Sequence, residues 1–271
     1  MRMESDEPIG DAGFFPLFRA ENEGMPDLTV RVLRQPLPQP EGVRVYRTNH
    51  RSRLVSDGTV YDYTFYSDAA RLEHIPYACA VRHGAQMTLY IDYSGPLWDT
   101  MLFDAIGLPD FFLENAAAVI HASFIGVGPD GILFAGPKRQ GKSTQAHLWN
   151  TYKNAVVING DRVVIRETEN GAFAYGVPFC GSSRLCVNTC RPIKAIVFPE
   201  KSAQNAAMSI TPIESFTRLI GCVTYTAEDA AAKDRAITFA ERVASQQRCL
   251  RLLCRPDAGA VEALAQALDI S

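Results

Sequence analysis

The residues Gly136-Pro137-Lys138-Arg139-Gln140-Gly141-Lys142-Ser143-Thr144 have the spacing G-x-x-x-x-G-K-[ST], a pattern suited to holding phosphate. Its glycines let the backbone turn N–H groups inward onto phosphate oxygens. The N-terminus of a following helix adds partial positive charge at the same place. In that pattern Lys142 reaches the β- and γ-phosphates of a nucleotide, and the Ser143 hydroxyl holds magnesium. Gly136, Gly141, Lys142, Ser143 and Thr144 are therefore the expected nucleotide-binding set. The bland alternative is a glycine-rich turn. The flanks favour the cradle: the apolar run Ile132-Leu133-Phe134-Ala135 enters the loop and a helical pattern leaves it.

Phosphoryl transfer also needs a carboxylate to hold the metal or orient the nucleophile. Asp161 is the candidate, because it ends the strand expected after the loop's helix and can there face a γ-phosphate and its magnesium. Without the loop, Gly160-Asp161 would read as a simple turn. His121 lies in the strand before the loop, where an imidazole could orient the acceptor hydroxyl or contact phosphate. A lone histidine in an apolar strand is equally a satisfied core residue. Lys138 and Arg139 lie inside the loop, where exposed charge is as good a reading as phosphate contact. Arg162, Arg184 and Arg191 are candidate cations for transition-state charge. The expected catalytic set is Asp161, His121 and Lys142; the expected metal pair is Ser143 and Asp161.

These residues need particular elements to bring them together. Residues 119–127 and 132–135 read as strands joined by the turn Gly128-Pro129-Asp130-Gly131. So short a connection forces an antiparallel pair, since parallel strands need a longer crossover. That argues against a fully parallel, doubly wound nucleotide fold. Residues 144–153 read as the loop's helix, with Ala146 and Trp149 on one face. Strands are expected at 155–159 and 163–166, and Asn170-Gly171 turns the chain into a hairpin partner at 172–177. Strands at 193–198, 207–211 and 250–253, helices at 212–223 and 228–247, and a last helix capped by Asp257 complete this half.

Upstream, residues 28–33, 43–46, 60–66, 78–82 and 87–93 read as strands, with turns at Asp57-Gly58 and His83-Gly84. Pro36-Leu37-Pro38-Gln39-Pro40 interrupts regular structure. The chain before Leu97 is thus expected to form a small sheet of antiparallel hairpins, residues 43–46 being a half-buried strand. A helical pattern from Leu97 to Ile106 breaks at Gly107-Leu108-Pro109 and resumes to Asn115, which suggests a domain junction. The expected class is α/β, of the mixed α+β kind. A β-hairpin-rich domain over residues 1–115 would serve substrate or partner recognition, and a phosphate-loop domain would cover residues 116–271.

Composition excludes several classes. Hydrophobic residues make up 47% of the 271 and charged residues 21%, the balance of a globular chain. A formal net charge of −3 offers no footprint for nucleic acid or an anionic membrane. No apolar run approaches a membrane span, and the acidic residues 1–10 do not resemble a signal peptide. The seven cysteines have no disulfide-framework spacing. Cys186 with Cys190 and Cys249 with Cys254 are the nearest pairs, and neither has the matching histidines or second pair of a zinc site. Cys249 and Cys254, in an apolar run, read as small core residues. The expectation is a reduced, soluble, cytoplasmic protein.

His121-Ala122, Gly136 to Thr144 and Ile158-Asn159-Gly160-Asp161-Arg162 together resemble the core of the HPr kinase/phosphorylase and phosphoenolpyruvate carboxykinase-like group. Tyr175-Gly176-Val177-Pro178-Phe179-Cys180-Gly181 and Pro192-Ile193-Lys194-Ala195-Ile196-Val197-Phe198 look like small bacterial HPr kinase-like proteins. The similarity covers about residues 118 to 268, and the phosphate loop is its one highly specific motif. It implies a carboxykinase-like core with a mixed, largely antiparallel sheet. It also implies homo-oligomers, and an ATP- and Mg2+-dependent kinase acting on a hydroxyl, such as a serine of a carrier protein or ribosomally made peptide. Two departures stand out. The group has two adjacent aspartates where this chain has Gly160-Asp161, and the Glu-x-Arg-Gly segment of bifunctional HPr kinases has no counterpart. HPr as substrate and a phosphorylase activity are thereby disfavoured. The alternatives are a nucleotide-binding sensor or scaffold with little turnover, and a small-molecule kinase.

Overall fold

Strands buried on both faces read as continuous apolar runs, and β9 (Asp130–Ala135) shows why: Ile132 and Phe134 point into one core, Leu133 and Ala135 into another. The computed structural model describes residues 1–6, 13–18, 24–68, 73–95, 97–181 and 184–270. The class is mixed α/β. The contacts divide the chain into two units, Met1–Leu108 and Pro109–Ser271.

The second unit carries a mixed sheet. Its strands are β8 (Ala117–Val127), β9, β10 (Val156–Asn159), β11 (Arg162–Thr168), β12 (Gly171–Tyr175), β13 (Cys190–Lys201), β14 (Ala206–Ser209) and β15 (Cys249–Cys254). As the short Gly128-Pro129 connection requires, β8 and β9 pair antiparallel, Ala122 opposite Ala135. Only β13 makes parallel pairs, with β9 and with β15. Helices cover both faces. α4 (Pro212–Ile220) and α5 (Ala230–Gln246) bury Leu219, Phe239 and Val243 against Ile120, Phe124 and Leu133. α3 (Lys142–Lys153) and α6 (Ala258–Ala267) bury Trp149, Val261 and Leu264 against Ile125, Phe134 and Val197. Asp257 caps α6 through the Ala260 N–H, and Cys249 and Cys254 are buried. α2 (Leu108–Glu114) precedes β8, its Asp110 bonded to Thr226.

The first unit is a seven-stranded sheet in the order β1-β2-β7-β6-β5-β4-β3. The strands are β1 (Arg2–Ser5), β2 (Thr29–Arg34), β3 (Val43–Arg47), β4 (Arg51–Ser56), β5 (Thr59–Asp68), β6 (Glu73–His83) and β7 (Gln86–Ile91). From β7 to β3 it is antiparallel, as hairpin turns dictate. β1–β2 and β2–β7 are parallel, so the expectation of antiparallel hairpins alone is corrected there. Strand β4 was also not anticipated, and residues 43–46 are not half-buried. β3 is the outermost strand, which leaves Val43 and Val45 73% and 58% exposed. A 3-10 turn spans Phe15–Phe18. α1 (Asp99–Ile106) ends on left-handed Gly107, and Leu108 and Pro109 open α2 instead of merely interrupting a helix. Within this unit the Tyr77 hydroxyl donates to the Met101 carbonyl at 2.8 Å.

Candidate functional site

β9 delivers the chain to Gly136 and α3 takes it away from Gly141, so the glycine-rich loop sits between a strand end and a helix start. The φ angles of Gly136 and Gly141 are 146° and 93°, a region that favours glycine. A side chain on Gly136 would also collide with the Gln140 carboxamide, which is folded back beneath it. The first N–H groups of α3 have no intrahelical acceptor, and Gly141 has no side chain to cap them. They are open to an acceptor from outside the helix. Lys142 is only 6% exposed, and its ammonium donates to the Pro137 carbonyl at 3.0 Å, across the mouth of the loop. Ser143 and Thr144 are exposed on the first turn of α3, and Lys138 and Arg139 are exposed at the loop's tip.

The second half of the site is the turn between β10 and β11. Both strands run antiparallel to β8, which places Gly160 and Asp161 beside Ala122 and Ser123. The Gly160 carbonyl accepts from the buried Ser123 hydroxyl at 3.0 Å and from Ser143 Oγ at 3.5 Å. That shared carbonyl ties the Asp161 turn to the start of α3. Arg162 pairs with His121 across the ladder. The His121 imidazole Nδ1 lies 3.4 Å from Asp161 Oδ1, and Arg162 Nε lies 3.6 Å from Oδ2. Lys142, Asp161, His121 and Arg162 thus share one electrostatic neighbourhood, while Arg184 is exposed. Arg191 is a strand length away. Its Nη1 donates to Thr189 Oγ1 and the Cys190 carbonyl, and the side chain packs beside Gly126 and Gly131 at the turn end of the β8–β9 hairpin.

Burial pulls the Lys142 ammonium below its usual range, and Cys222 and Asp161 oppose that shift. Burial, then the Lys142 charge, lower the His121 pKa, against the attraction of Asp161. The ring is therefore neutral at neutral pH. A neutral imidazole that donates from Nδ1 toward the carboxylate presents Nε2 as an acceptor.

Three residues here were given no role from the sequence. Asn159 is fully buried; its Oδ1 accepts the N–H groups of Asp161 and Arg162, both at 3.0 Å, and its Nδ2 donates to the Val177 carbonyl at 2.9 Å. The Asn-Gly-Asp order was a readable turn signal. Gly181 approaches so closely that a Cβ there would stand 2.7 Å from Asp161 Oδ2. Cys222, whose carbonyl accepts the His121 N–H, sits against Lys142 and Gly136, and burial pushes its thiol up to about 11. Neither of the last two had a local signal.

For a magnesium nucleotide the donor set fits: unfilled helix N–H groups, a buried ammonium, one hydroxyl and one carboxylate, all oxygen or nitrogen donors suited to phosphate and a hard cation. Among the described residues no group of three or more His, Cys, Asp or Glu side chains converges to hold a metal ion. Compared with known proteins, the chain matches no family model and no curated protein. Among the described residues no helix is long and apolar enough to cross a membrane.

Proposed function

We propose that residues 109–271 act as an ATP- and magnesium-dependent phosphotransferase whose acceptor is a hydroxyl, a serine of a protein or peptide. The observation that carries this reading is the joining of the loop to a carboxylate: Ser143 and Ser123 meet on the Gly160 carbonyl, and Asp161 follows directly. The order of a histidine strand, phosphate loop and aspartate turn supports it too, through the resemblance to the carboxykinase-like kinases.

In this mechanism the loop N–H groups and the Lys142 ammonium bind the β- and γ-phosphates. Ser143 Oγ and Asp161 would hold magnesium, which would supply positive charge to the phosphate oxygens. Asp161 orients the acceptor hydroxyl and takes its proton. The acceptor oxygen bonds to the γ-phosphorus as the bond to the bridging oxygen of ADP breaks, and the proton passes from Asp161 to water. Neutral His121 steadies the carboxylate. Arg162, beside it, offsets negative charge as the phosphoryl group moves.

The second reading, a nucleotide sensor with little turnover, draws on Gly160 standing where the related kinases carry another aspartate. One experiment separates the two. Purified chain is given γ-labelled ATP, magnesium and a set of serine-containing peptides and proteins. The expected result is labelled phosphoserine, reduced about 100-fold or more in Asp161→Asn while nucleotide affinity stays within a few-fold. Tight ATP binding with no transfer to any acceptor would favour the sensor.

A further inference from the structure

The outermost strand of the first unit, β3, pairs with β4 on one side, and no described strand pairs with its other edge. Beside it a cleft of about 390 Å³ opens on the sheet. Arg44, Arg47, Leu54, Tyr63 and Phe65 line it, and the proline strap at residues 36–40 forms its wall. The strap is pinned by the Tyr63 hydroxyl, which donates to the Pro38 carbonyl at 2.7 Å. The Arg47 guanidinium lies over the Phe65 ring, 4.9 Å from its centroid. Asp92 is the one acidic residue among the lining, against two arginines.

Arginines and a bulge on an edge strand are also how sheets discourage unwanted pairing, and β3 has a register shift between Arg44 and Tyr46. Protection of that kind does not require a cleft, a pinned strap or an arginine stacked on an aromatic ring. Nor does it leave two neighbouring valines exposed. A second copy of this chain is a poor occupant, because pairing β3 with itself would bring the arginines of both copies to one seam with no acidic residue in either strand to offset them. The lining calls for a partner that is extended, partly apolar and anionic.

We propose that β3 and the adjoining cleft bind an extended acidic peptide segment of a partner protein by strand addition. Main-chain hydrogen bonds along the outer edge of β3 provide affinity. A carboxylate set against Arg44 and Arg47, with an apolar side chain against Leu54 and Phe65, provides selectivity. This inference does not depend on the phosphotransfer reading, since the site lies wholly within the first unit.

The test uses the full chain as bait for a displayed random peptide library, followed by fluorescence anisotropy with labelled copies of the selected peptides. Enrichment of sequences that alternate Asp or Glu with apolar residues is expected. Arg44→Ala/Arg47→Ala should weaken binding about tenfold or more, and rising salt should weaken wild-type binding. Val43→Ser/Val45→Ser should weaken it as well. All four side chains are exposed, so unchanged circular dichroism is expected for both variants, with melting lowered slightly in the arginine variant, which loses the Arg47–Phe65 stack. No enrichment, or equal binding of the selected peptides to the arginine variant, would overturn the proposal. So would preferential binding of a labelled oligonucleotide or of anionic phospholipid vesicles.

Discussion

Asp161 owes its orientation to the backbone beneath it more than to partners of its carboxylate. Asn159 gathers the N–H groups of Asp161 and Arg162 onto one oxygen and anchors itself to Val177, so the turn is set before any ligand arrives. Among the described residues, the carboxylate oxygens then have the longer contacts to His121 and Arg162, at 3.4 and 3.6 Å. His121 gives this arrangement a pH signature. Burial and Lys142 hold its folded pKa below the ordinary value of 6.5. As pH falls, the unfolded chain is therefore protonated first. The stability that comes from keeping the ring neutral is complete above about pH 6.5 and declines as pH drops toward the folded value; below that it stops changing. The side chain is 35% exposed, so the effect is modest and is best read as a slope. Urea midpoints of wild type and His121→Asn, measured from pH 7 down to pH 5, should show a shallower decline in the variant. Parallel curves would assign the acid sensitivity to other groups.

At α3, sequence and structure meet in the polar–apolar pattern that buries Ala146 and Trp149 while leaving Ser143 and Thr144 exposed beside the loop. Trp149 is fully buried, and among the described residues its indole N–H has no hydrogen-bond partner. Its contribution must come from packing, offset by a desolvated donor. Trp149→Ala is expected to cost about 3–5 kcal/mol in chemical denaturation, and Trp149→Phe, which removes the orphan donor but keeps an aromatic ring, clearly less. Equal losses would mean that the indole N–H finds an acceptor. The legible elements were those whose cause is local. The β8–β9 hairpin follows from a short turn between two apolar runs, and α6 from Asp257 ahead of Val261 and Leu264. What escaped is non-local. β1 reads Arg-Met-Glu-Ser, mostly exposed, and is a strand because β2 offers it a parallel edge. Gly181 reaches Asp161 only after the loop beyond β12 folds back, a distance in sequence that no turn rule spans. Asn159 is the intermediate case, a local signal whose weight appears only once Val177 is beside it.

In the second unit, pairing runs from β8 to β11, β12, β13, β9 and back to β8. Such a closed circuit leaves none of these five strands free to separate alone, and it places the loop, at the end of β9, and Asp161, at the start of β11, on the two strands that flank β8. β13 makes this possible by pairing successively with β12, β9 and β15 along its length. Amides at the centre of β8 and β9 should therefore exchange with solvent only through opening of the whole circuit. A ligand that binds the closed circuit and not the open one stabilises it by mass action. Magnesium ATP at a concentration of about 100 times its dissociation constant contributes about 2.7 kcal/mol. The expected outcome is that amides such as those of Phe124, Ile125 and Leu133 exchange about 100-fold more slowly with magnesium ATP present. In Lys142→Ala at the same nucleotide concentration the protection should shrink, because the ammonium at the loop's mouth is gone. If only the loop's own amides slowed while those of β8 and β9 did not, the circuit would be opening in parts, and nucleotide binding would be a local event at the start of α3.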